Sequence, residues 1–307
     1  MHLRPGGRTI SPHERGMERP RSNKGREVLI AFGVAVTLAG CASAPRPYSL
    51  RTRTLTAKPV MRLAWIDNYP RAVATITHIL EHELAIPPVD ASLRFYQSRD
   101  GLANALVGAG YDPVAARRVT ASVGALAADG KIILNDSVLL RRPWTQRIAV
   151  IAHELTHSVQ YQLAENRRGT SAQWLREGFS EYMAIRVLER LDVTSVSKAR
   201  YVRMRHVRNA GRLPPLNALA NGDEWLRLNG HLDQVMVYPY AFLAVDLLVQ
   251  QHGLSKVLDY FRLFAFTDDR EWAFREAFGS DVTAFERKLR ERIHPSGSRQ
   301  HAARQND

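Results

Sequence analysis

Cysteine is almost absent from this chain of 307 residues, and Cys41 is the only one. A single thiol excludes an internal disulfide framework, so the fold must depend on an apolar core. The chain also lacks an apolar run of membrane length, because the run at residues 28–40 has only 13 residues and none of spanning length follows it. With 45% hydrophobic residues, the chain suffices for one large domain or two small ones.

The first 40 residues are typical of an export signal. A basic segment precedes the apolar run, and that order of a positive region and a short hydrophobic core is the pattern of a signal peptide. The run ends in Leu-Ala-Gly followed by Cys41, which resembles the bacterial lipobox, where the cysteine carries the lipid. The alternative is a buried free cysteine behind an ordinary membrane anchor. Met1 and Met17 are both possible start sites.

The domain organisation follows from this reading of the N-terminus. Residues 1–40 are the predicted lipoprotein signal peptide, 41–60 a flexible tether rich in Pro, Arg and Thr, 61–295 the globular domain and 296–307 a disordered polar tail. We expect an exported protein held on the cell envelope by a lipid at Cys41. Ala42 is not the Asp that retains lipoproteins at the inner membrane, so the resemblance favours the outer membrane of a cell with two membranes.

A histidine pair lies in the stretch from Ile151 to His157. Residues four apart share one face of a helix, so His153 and His157 can bind one Zn²⁺ from the same side. Glu154 lies beside that metal and can take a proton from the attacking water, as the H-E-x-x-H pattern requires. The predicted helix begins near Thr145 as N-cap and buries an apolar face opposite the histidines.

A second stretch, from Trp174 to Tyr182, can complete the site. Catalytic zinc usually takes three protein ligands, and Glu177 follows His157 by 20 positions on the next predicted helix. Glu181 lies one turn further on the same face, where it can accept the N–H of a ligating histidine and fix its tautomer. Gly178 has no Cβ, which would allow this helix and the helix of the histidine pair to approach closely.

These two stretches, HELTH and WLREGFSEY, resemble the gluzincin metallopeptidases and most closely the peptidase MA-like domains of bacteria. The resemblance covers residues 90–293 and implies an α+β, mainly helical zincin-like domain with a small N-terminal β-sheet, in which Glu177 is the third zinc ligand. No Gly-x-x-His follows His157 at the short spacing of metzincins, so that alternative is disfavoured.

The segments before the zinc motif predict one helix and two strands. Residues 62–85 have the period of an amphipathic helix, and 92–97 and 131–135 have strand character. In gluzincins the edge strand of such a sheet pairs with the extended substrate, and the resemblance assigns that edge to 132–134.

The helix at 62–85 contains a second histidine pair. His78, Glu81 and His82 formally fit the inverted motif H-x-x-E-H. Because no helix with a suitable carboxylate follows them, the sequence favours surface residues on a packing helix.

Three residues near the end of the chain are candidates to stabilise the oxyanion. After a predicted loop at 213–230, the helix from Val237 resembles one that follows the zinc site in peptidase MA-like domains. A protonated tyrosine there can donate its hydroxyl to the developing charge. Motif register favours Tyr238 over Tyr240, and His231 is the third candidate; core packing is the alternative for all three.

Positive charge dominates the chain, which carries a formal +13. The signal peptide has seven Lys or Arg and three Asp or Glu, so the remainder carries +9. The densest cluster, 198–208, is a candidate contact for anionic lipid headgroups, with a solvated helix face as the alternative. An exported protein has little access to nucleic acid, and we expect no nucleic-acid partner.

The sequence therefore predicts an exported zinc metallopeptidase that cleaves envelope proteins or peptides. Two alternatives remain open: a zinc-binding lipoprotein that assists envelope assembly with little proteolysis, and a structural domain whose motif is accidental. Substrate identity, endo- against exopeptidase action and oligomeric state depend on pocket walls that the sequence does not define.

Overall fold

The computed structural model describes residues 47–122, 124–128, 131–165, 170–210, 213–231 and 236–295. Strands and helices follow one another along the chain as β1 (Tyr48–Arg51), α1 (Tyr69–His78), β2 (Ser92–Tyr96), α2 (Arg99–Gly108), α3 (Pro113–Ser122), β3 (Ala125–Ala128), β4 (Lys131–Asn135), α4 (Asp136–Leu139), α5 (Trp144–Leu163), α6 (Gln173–Arg190), α7 (Val196–Asn209), α8 (Gly222–His231), α9 (Val237–His252), α10 (Leu254–Leu263), α11 (Arg270–Phe278) and α12 (Val282–Ile293). This mainly helical α+β architecture with a small sheet confirms the predicted fold class. The predicted signal peptide, Cys41 and the polar tail lie outside the described residues.

The sheet has four strands in the order β1-β2-β4-β3. Strand β2 pairs in parallel with β4, while β1 and β3 run antiparallel to their neighbours on the two edges. The expectation that residues 132–134 form the edge is therefore wrong, because β3 covers them. The sequence of β3, Ala-Leu-Ala-Ala, has little intrinsic strand preference, and pairing with β4 makes it a strand.

The predicted tether is too long, because its residues from Tyr48 onward belong to the fold. Strand β1 pairs with β2, and the ring of Tyr48 stacks on Phe95 at a centroid distance of 4.5 Å. The hydroxyl of Thr52 then donates to the carbonyl of Val89 at 2.7 Å. Alternate residues of β1 are half-buried, which is the period of an edge strand with one face on the core.

The helix predicted at 62–85 is divided into shorter elements. A 3₁₀ turn at Leu63–Trp65 precedes α1, and a π-helical turn at Ile79–Glu83 follows it. The side chain of Asn68 accepts from the backbone of Arg71 and caps the start of α1. No helix in the part of the chain that the structure describes combines the length and apolarity needed to cross a membrane.

Helices α5, α6 and α9 form the centre of the domain. The predicted apolar face of α5 is confirmed, since four of its residues are completely buried: Ile148, Ile151, Leu155 and Val159. The predicted N-cap is wrong: α5 begins at Trp144, directly after Pro143, and no side chain caps it. Pro143 has φ −64° and ψ 159°, the extended backbone of an N-cap residue, so the helix begins at the next residue and Thr145 is already helical.

The close helix approach at Gly178 is between α6 and α9, so the predicted approach to α5 at this glycine is wrong. A Cβ added to Gly178 would overlap the backbone carbonyl of Ala241 and press on Val245. The position therefore admits only glycine without a shift of the helices. This contact fixes α6 against α9 at the level of Glu177.

Candidate metal centre

Side chains from α5 and α6 converge on one point. The Nε2 atoms of His153 and His157 are 3.1 Å apart, and Oε2 of Glu177 lies 3.3 Å from the first and 3.7 Å from the second. A tetrahedral Zn²⁺ with bonds of about 2.0–2.1 Å holds its ligand atoms about 3.3 Å apart. Within the described part of the chain, these three residues form the one group that could hold a metal ion. They are the three ligands that the sequence predicts.

The nitrogen of His153 that faces away from the centre, Nδ1, here called its outer nitrogen, is held by a series of charged side chains. This atom lies 3.3 Å from Oε1 of Glu181, and the second oxygen of Glu181 accepts from Arg203 at 2.9 Å. A carboxylate can only accept, so Nδ1 carries the hydrogen and Nε2 is left with a lone pair that faces the centre. Burial raises the pKa of Glu181, but its bonds to His153 and the charge of Arg203 outweigh this and lower it.

The outer nitrogen of His157, also Nδ1, is held by a series of neutral groups. The amide nitrogen of Gln160 donates to the backbone carbonyl of Arg176 at 2.9 Å, and since a carbonyl only accepts, the amide orientation is fixed. The oxygen of Gln160 therefore faces Nδ1 of His157, at 2.9 Å, and that nitrogen must donate. The hydroxyl of Ser180 lies 3.2 Å from the same nitrogen. His157 thus also turns a lone pair toward the centre.

Three electron-rich atoms consequently face one another without a hydrogen between them. Such an arrangement repels itself unless a cation, either a proton or a metal, lies at the centre. Burial lowers the pKa of His153, but hydrogen bonds to Glu177 and Glu181 raise it well above its ordinary value. The residues present therefore suit a divalent metal ion, which would take the place of that proton.

The remaining oxygen of Glu177 has its own partner. The amide of Gln173 donates to Oε1 at 2.7 Å, and Arg176 donates in turn to the amide oxygen of Gln173. Burial raises the pKa of Glu177, but the charge of His157 and bonds to both histidines lower it below its usual range. The carboxylate therefore stays ionised and presents only Oε2 to the centre.

Glu154 lies beside the centre and is not one of the ligands. Its side chain is buried, with 9% exposure. Burial raises the pKa of this carboxyl, while the charges of His153 and His157 lower it less. A carboxylate whose affinity for a proton is raised, next to two metal-ligating histidines, can accept and return a proton.

Tyr238 faces the centre, and Tyr240 does not. The ring of Tyr238 lies 6.4 Å from that of His153, and burial together with the charges of Glu177 and Glu181 raises its pKa. The side chain of Trp225 packs edge-on against it at 5.1 Å and hydrogen bonds to it. Tyr240 is completely buried and donates to Glu286 at 3.3 Å. His231 ends α8, and its side chain lies outside the described part.

The second histidine pair, His78 and His82, lies among contacts that belong to the fold itself. Glu81 accepts from Arg53 at 3.0 Å and from the backbone of Val89 at 2.7 Å, so its carboxylate is occupied by the neighbouring loop. The rings of His78 and His82 are 4.8 Å apart, yet no third ligand among the described residues joins them. This agrees with the interpretation of a packing helix.

Five contributors were not predicted: Gln160, Gln173, Ser180, Arg203 and Trp225. Gln160, three residues after His157, follows the i, i+3 spacing of a helix face, and this spacing is the one signal that could have indicated it. Arg203 lies in the basic segment 198–208, which was interpreted as a surface. The sequence predicts a loop around Trp225, but this residue lies in α8.

Comparison of the chain with protein-family models, curated proteins and solved structures found no match.

Proposed function

We propose that this protein is a zinc-dependent metallopeptidase of the gluzincin type. The observation that carries the proposal is the convergence of His153, His157 and Glu177, with the outer atoms of all three held by other side chains. Two histidines and one carboxylate form a ligand set used by catalytic zinc, which keeps a fourth position open. Bound zinc would supply a Lewis acid that polarises the scissile carbonyl and makes water a nucleophile at neutral pH.

Glu154 acts as the general base and then as the general acid. It takes the proton of the attacking water and passes it to the nitrogen of the leaving amine. Its burial and raised pKa support this role, because a base with greater proton affinity takes the proton more readily. The apolar residues behind α5 hold its backbone rigid, which fixes the distance over which the proton moves.

Tyr238 donates its hydroxyl to the oxyanion that forms at the scissile carbonyl. Its raised pKa keeps the phenol protonated at every working pH. The indole N–H of Trp225 can only donate, so it takes a lone pair of the Tyr238 oxygen and leaves the phenolic hydrogen available for substrate. This arrangement favours Tyr238 over Tyr240, whose hydrogen is bonded to Glu286.

Strand β3 provides a place for the peptide backbone. It lies beside α5 and pairs with β4 on one side only among the described strands. An extended peptide could add to this edge by β-augmentation.

We also propose that the protein is exported and attached to the envelope through a lipid on Cys41. The motif before Cys41 supports this attachment. Labelling with a radioactive fatty acid should give a lipid-modified wild type and an unlabelled Cys41→Ser variant, whereas label in both would contradict the assignment.

The catalytic proposal is tested with Glu154→Gln. The variant should keep the metal, because Glu154 is not a ligand, and should lose about 10²- to 10⁴-fold in peptide cleavage. Metal content by mass spectrometry and cleavage of a peptide library are the measurements. Glu189→Gln, the same change at the end of α6, is the matched control and should leave both unchanged. Metal binding without cleavage in the wild type would instead favour the assembly-factor alternative.

A further inference from the structure

The segment directly after β1 has an unusual composition. Residues 51–65, called here the basic strip, contain Arg51, Arg53, Lys58 and Arg62 and no Asp or Glu. The nearest acid after β1 is Asp67. The strip is therefore positive along its whole length.

Three contacts place the basic strip along the surface of α1. Arg53 pairs with Glu81 at 3.0 Å near the end of the helical segment, and the backbone of Val60 donates to Thr75 at 3.0 Å in its middle. At the start of α1, Arg71 donates to the carbonyl of Trp65 at 3.2 Å. The strip thus runs antiparallel to α1 as one continuous surface band.

The acids that border the basic strip are each paired with one arginine, which leaves the other cations of the strip unpaired. Glu81 pairs with Arg53, and Asp67 pairs with Arg71 at 3.0 Å. Arg51, Lys58 and Arg62 make no ion pair with any residue that the structure describes, and all three are exposed. Their charge is available to an external partner.

Apolar side chains lie among these cations. Trp65 is 56% exposed and Met61 is 37% exposed, although both are large enough to be buried. The guanidinium of Arg62 lies over the Trp65 ring, 5.2 Å from its centroid. Tryptophan beside arginine is the composition of a membrane interface, where the ring lies at headgroup level and the cation meets phosphate.

We propose that the basic strip contacts a bilayer of anionic lipids and orients the domain on the membrane. This inference rests on the proposed lipid at Cys41. The chain from Cys41 to Pro47 reaches at most about 20 Å when fully extended, so β1 and the strip that follows it stay near the membrane surface. A headgroup phosphate is the partner that unpaired cations next to an exposed indole fit best.

The structure disfavours the earlier candidate surface, residues 198–208. Three of its arginines have partners inside the protein: Arg200 pairs with Asp246, Arg203 with Glu181, and Arg208 donates to the carbonyl of Ile293. These bonds hold α7 on the domain. Among the described residues, the basic strip keeps three cations without an ion pair or a side-chain hydrogen bond, against Lys198 and Arg205 in 198–208, and it lies nearer to Cys41 in sequence.

The test uses the lipid-modified protein inserted into vesicles of phosphatidylcholine and phosphatidylglycerol in equal amounts, with the phosphatidylglycerol brominated in its acyl chains. Bromine quenches tryptophan that reaches the bilayer. We expect quenching in the wild type and its loss in Trp65→Phe. Trp272→Phe, which removes another exposed indole, is the matched control and should keep the quenching.

Charge is tested with Arg51→Gln, Lys58→Gln and Arg62→Gln combined. Each cation at an anionic surface is worth about a fivefold change in the docked population, roughly 1 kcal/mol, so the triple variant should lose the quenching almost entirely. Raised salt should have the same effect.

The outcomes separate the proposals. If the protein binds vesicles but Trp65 is not quenched, the basic strip does not contact the bilayer, and the proposed lipid anchor is unaffected. The same conclusion follows if the quenching is lost in Trp272→Phe instead. A second set of vesicles contains brominated phosphatidylcholine and no phosphatidylglycerol. If the quenching is equal in these vesicles, the cations of the basic strip do not contribute to membrane contact. Protein that does not associate with vesicles overturns both the anchor and the strip, whereas peptide cleavage tests the enzymatic proposal separately.

Discussion

The chain contains two pairs of histidines four residues apart, each with a glutamate between them, and they have different surroundings. Around His153 and His157, a second helix brings Glu177 to the inner nitrogens, while Glu181 and Gln160 hold the outer ones. Around His78 and His82, the glutamate is bonded to Arg53 and to a loop amide. The two pairs have in common only the helical spacing and the glutamate between the histidines.

The difference shows what a histidine pair needs before it could hold a metal ion. The inner nitrogens must share a third ligand, and the outer nitrogens must donate to fixed acceptors so that the lone pairs point inward. The first pair meets both conditions because α6 lies along α5. The second pair meets neither among the described residues.

Removal of Glu177, the predicted third ligand, should have the largest effect on metal affinity. Glu177→Gln keeps the size of the side chain and deletes its charge, so the metal affinity should fall by more than the roughly 10²-fold that loss of an outer partner can cost. Equilibrium dialysis against Zn²⁺ measures the change. His78→Gln combined with His82→Gln should leave the affinity unaltered; a metal lost from that variant would mean that the second pair is the site.

The packing of α6 against α9 can be disturbed without changing any of the three predicted metal ligands. Gly178→Ala places a methyl group against the carbonyl of Ala241, and we expect a loss of about 1–3 kcal/mol in the free energy of unfolding. Urea denaturation gives the value. Gly108→Ala, where an added Cβ meets nothing within 4 Å, should be neutral or stabilising. Equal stability of the two variants would contradict the close approach of α6 and α9.

The neutral partner of the first pair can be removed by Gln160→Leu. His157 then loses its acceptor, and the metal affinity should fall by about 10- to 100-fold with little change in helix content. Competition with a fluorescent chelator is a suitable measurement. Gln162→Leu, two residues further along α5 and bonded only to the carbonyl of Asp90 among the described residues, serves as the control and should bind metal as the wild type does.

Metal binding should become tighter as the pH rises. Burial lowers the pKa of His153, but bonds to Glu177 and Glu181 raise it well above its ordinary value, so the metal-free centre binds a proton more tightly than a free histidine does. That proton stabilises the metal-free fold below the ordinary pKa, and this contribution is lost as the pH rises through the raised value. Because metal displaces one proton, the affinity should gain about tenfold per pH unit over that range, which calorimetry in two buffers can verify. A flat profile would show that His153 is neutral.

The smallest effect should come from Trp225→Phe. The ring that packs against Tyr238 is kept and the N–H is lost, which removes one neutral hydrogen bond of about 1 kcal/mol, or roughly fivefold in rate. We expect the change in kcat with KM unaltered, since the bond orients a group that acts in the transition state. A change confined to KM would assign Trp225 to substrate binding instead.

The ligand set was predictable because its information is local. Two histidines and Glu154 follow from the period of one helix, and Glu177 with Glu181 follow from the period of the next. The outer partner Arg203 comes from α7, where an arginine among many cations gives no signal of an internal role. Trp225 was missed since its helix follows a segment rich in loop residues.

The errors in the sheet have a different cause. Strand β1 exists through pairing with β2 more than 40 positions away, as Tyr48 with Phe95, and β3 through pairing with β4. Alanine-rich and Pro-flanked segments carry weak local preference, so tertiary contacts decide their structure. This is why a predicted tether proved to be an edge strand and a predicted edge proved to be interior.

The amide of Gln160 joins two helices and also sets the hydrogen position on His157. If the seam between α5 and α6 opens, the carbonyl of Arg176 withdraws, the amide can rotate, and the imidazole loses its defined tautomer. Loss of metal would then precede loss of helix on heating. In the proposed zinc-bound state, retention of the ion would therefore report whether the two helices are docked, because helices that form without docking do not bring Glu177 to the histidines.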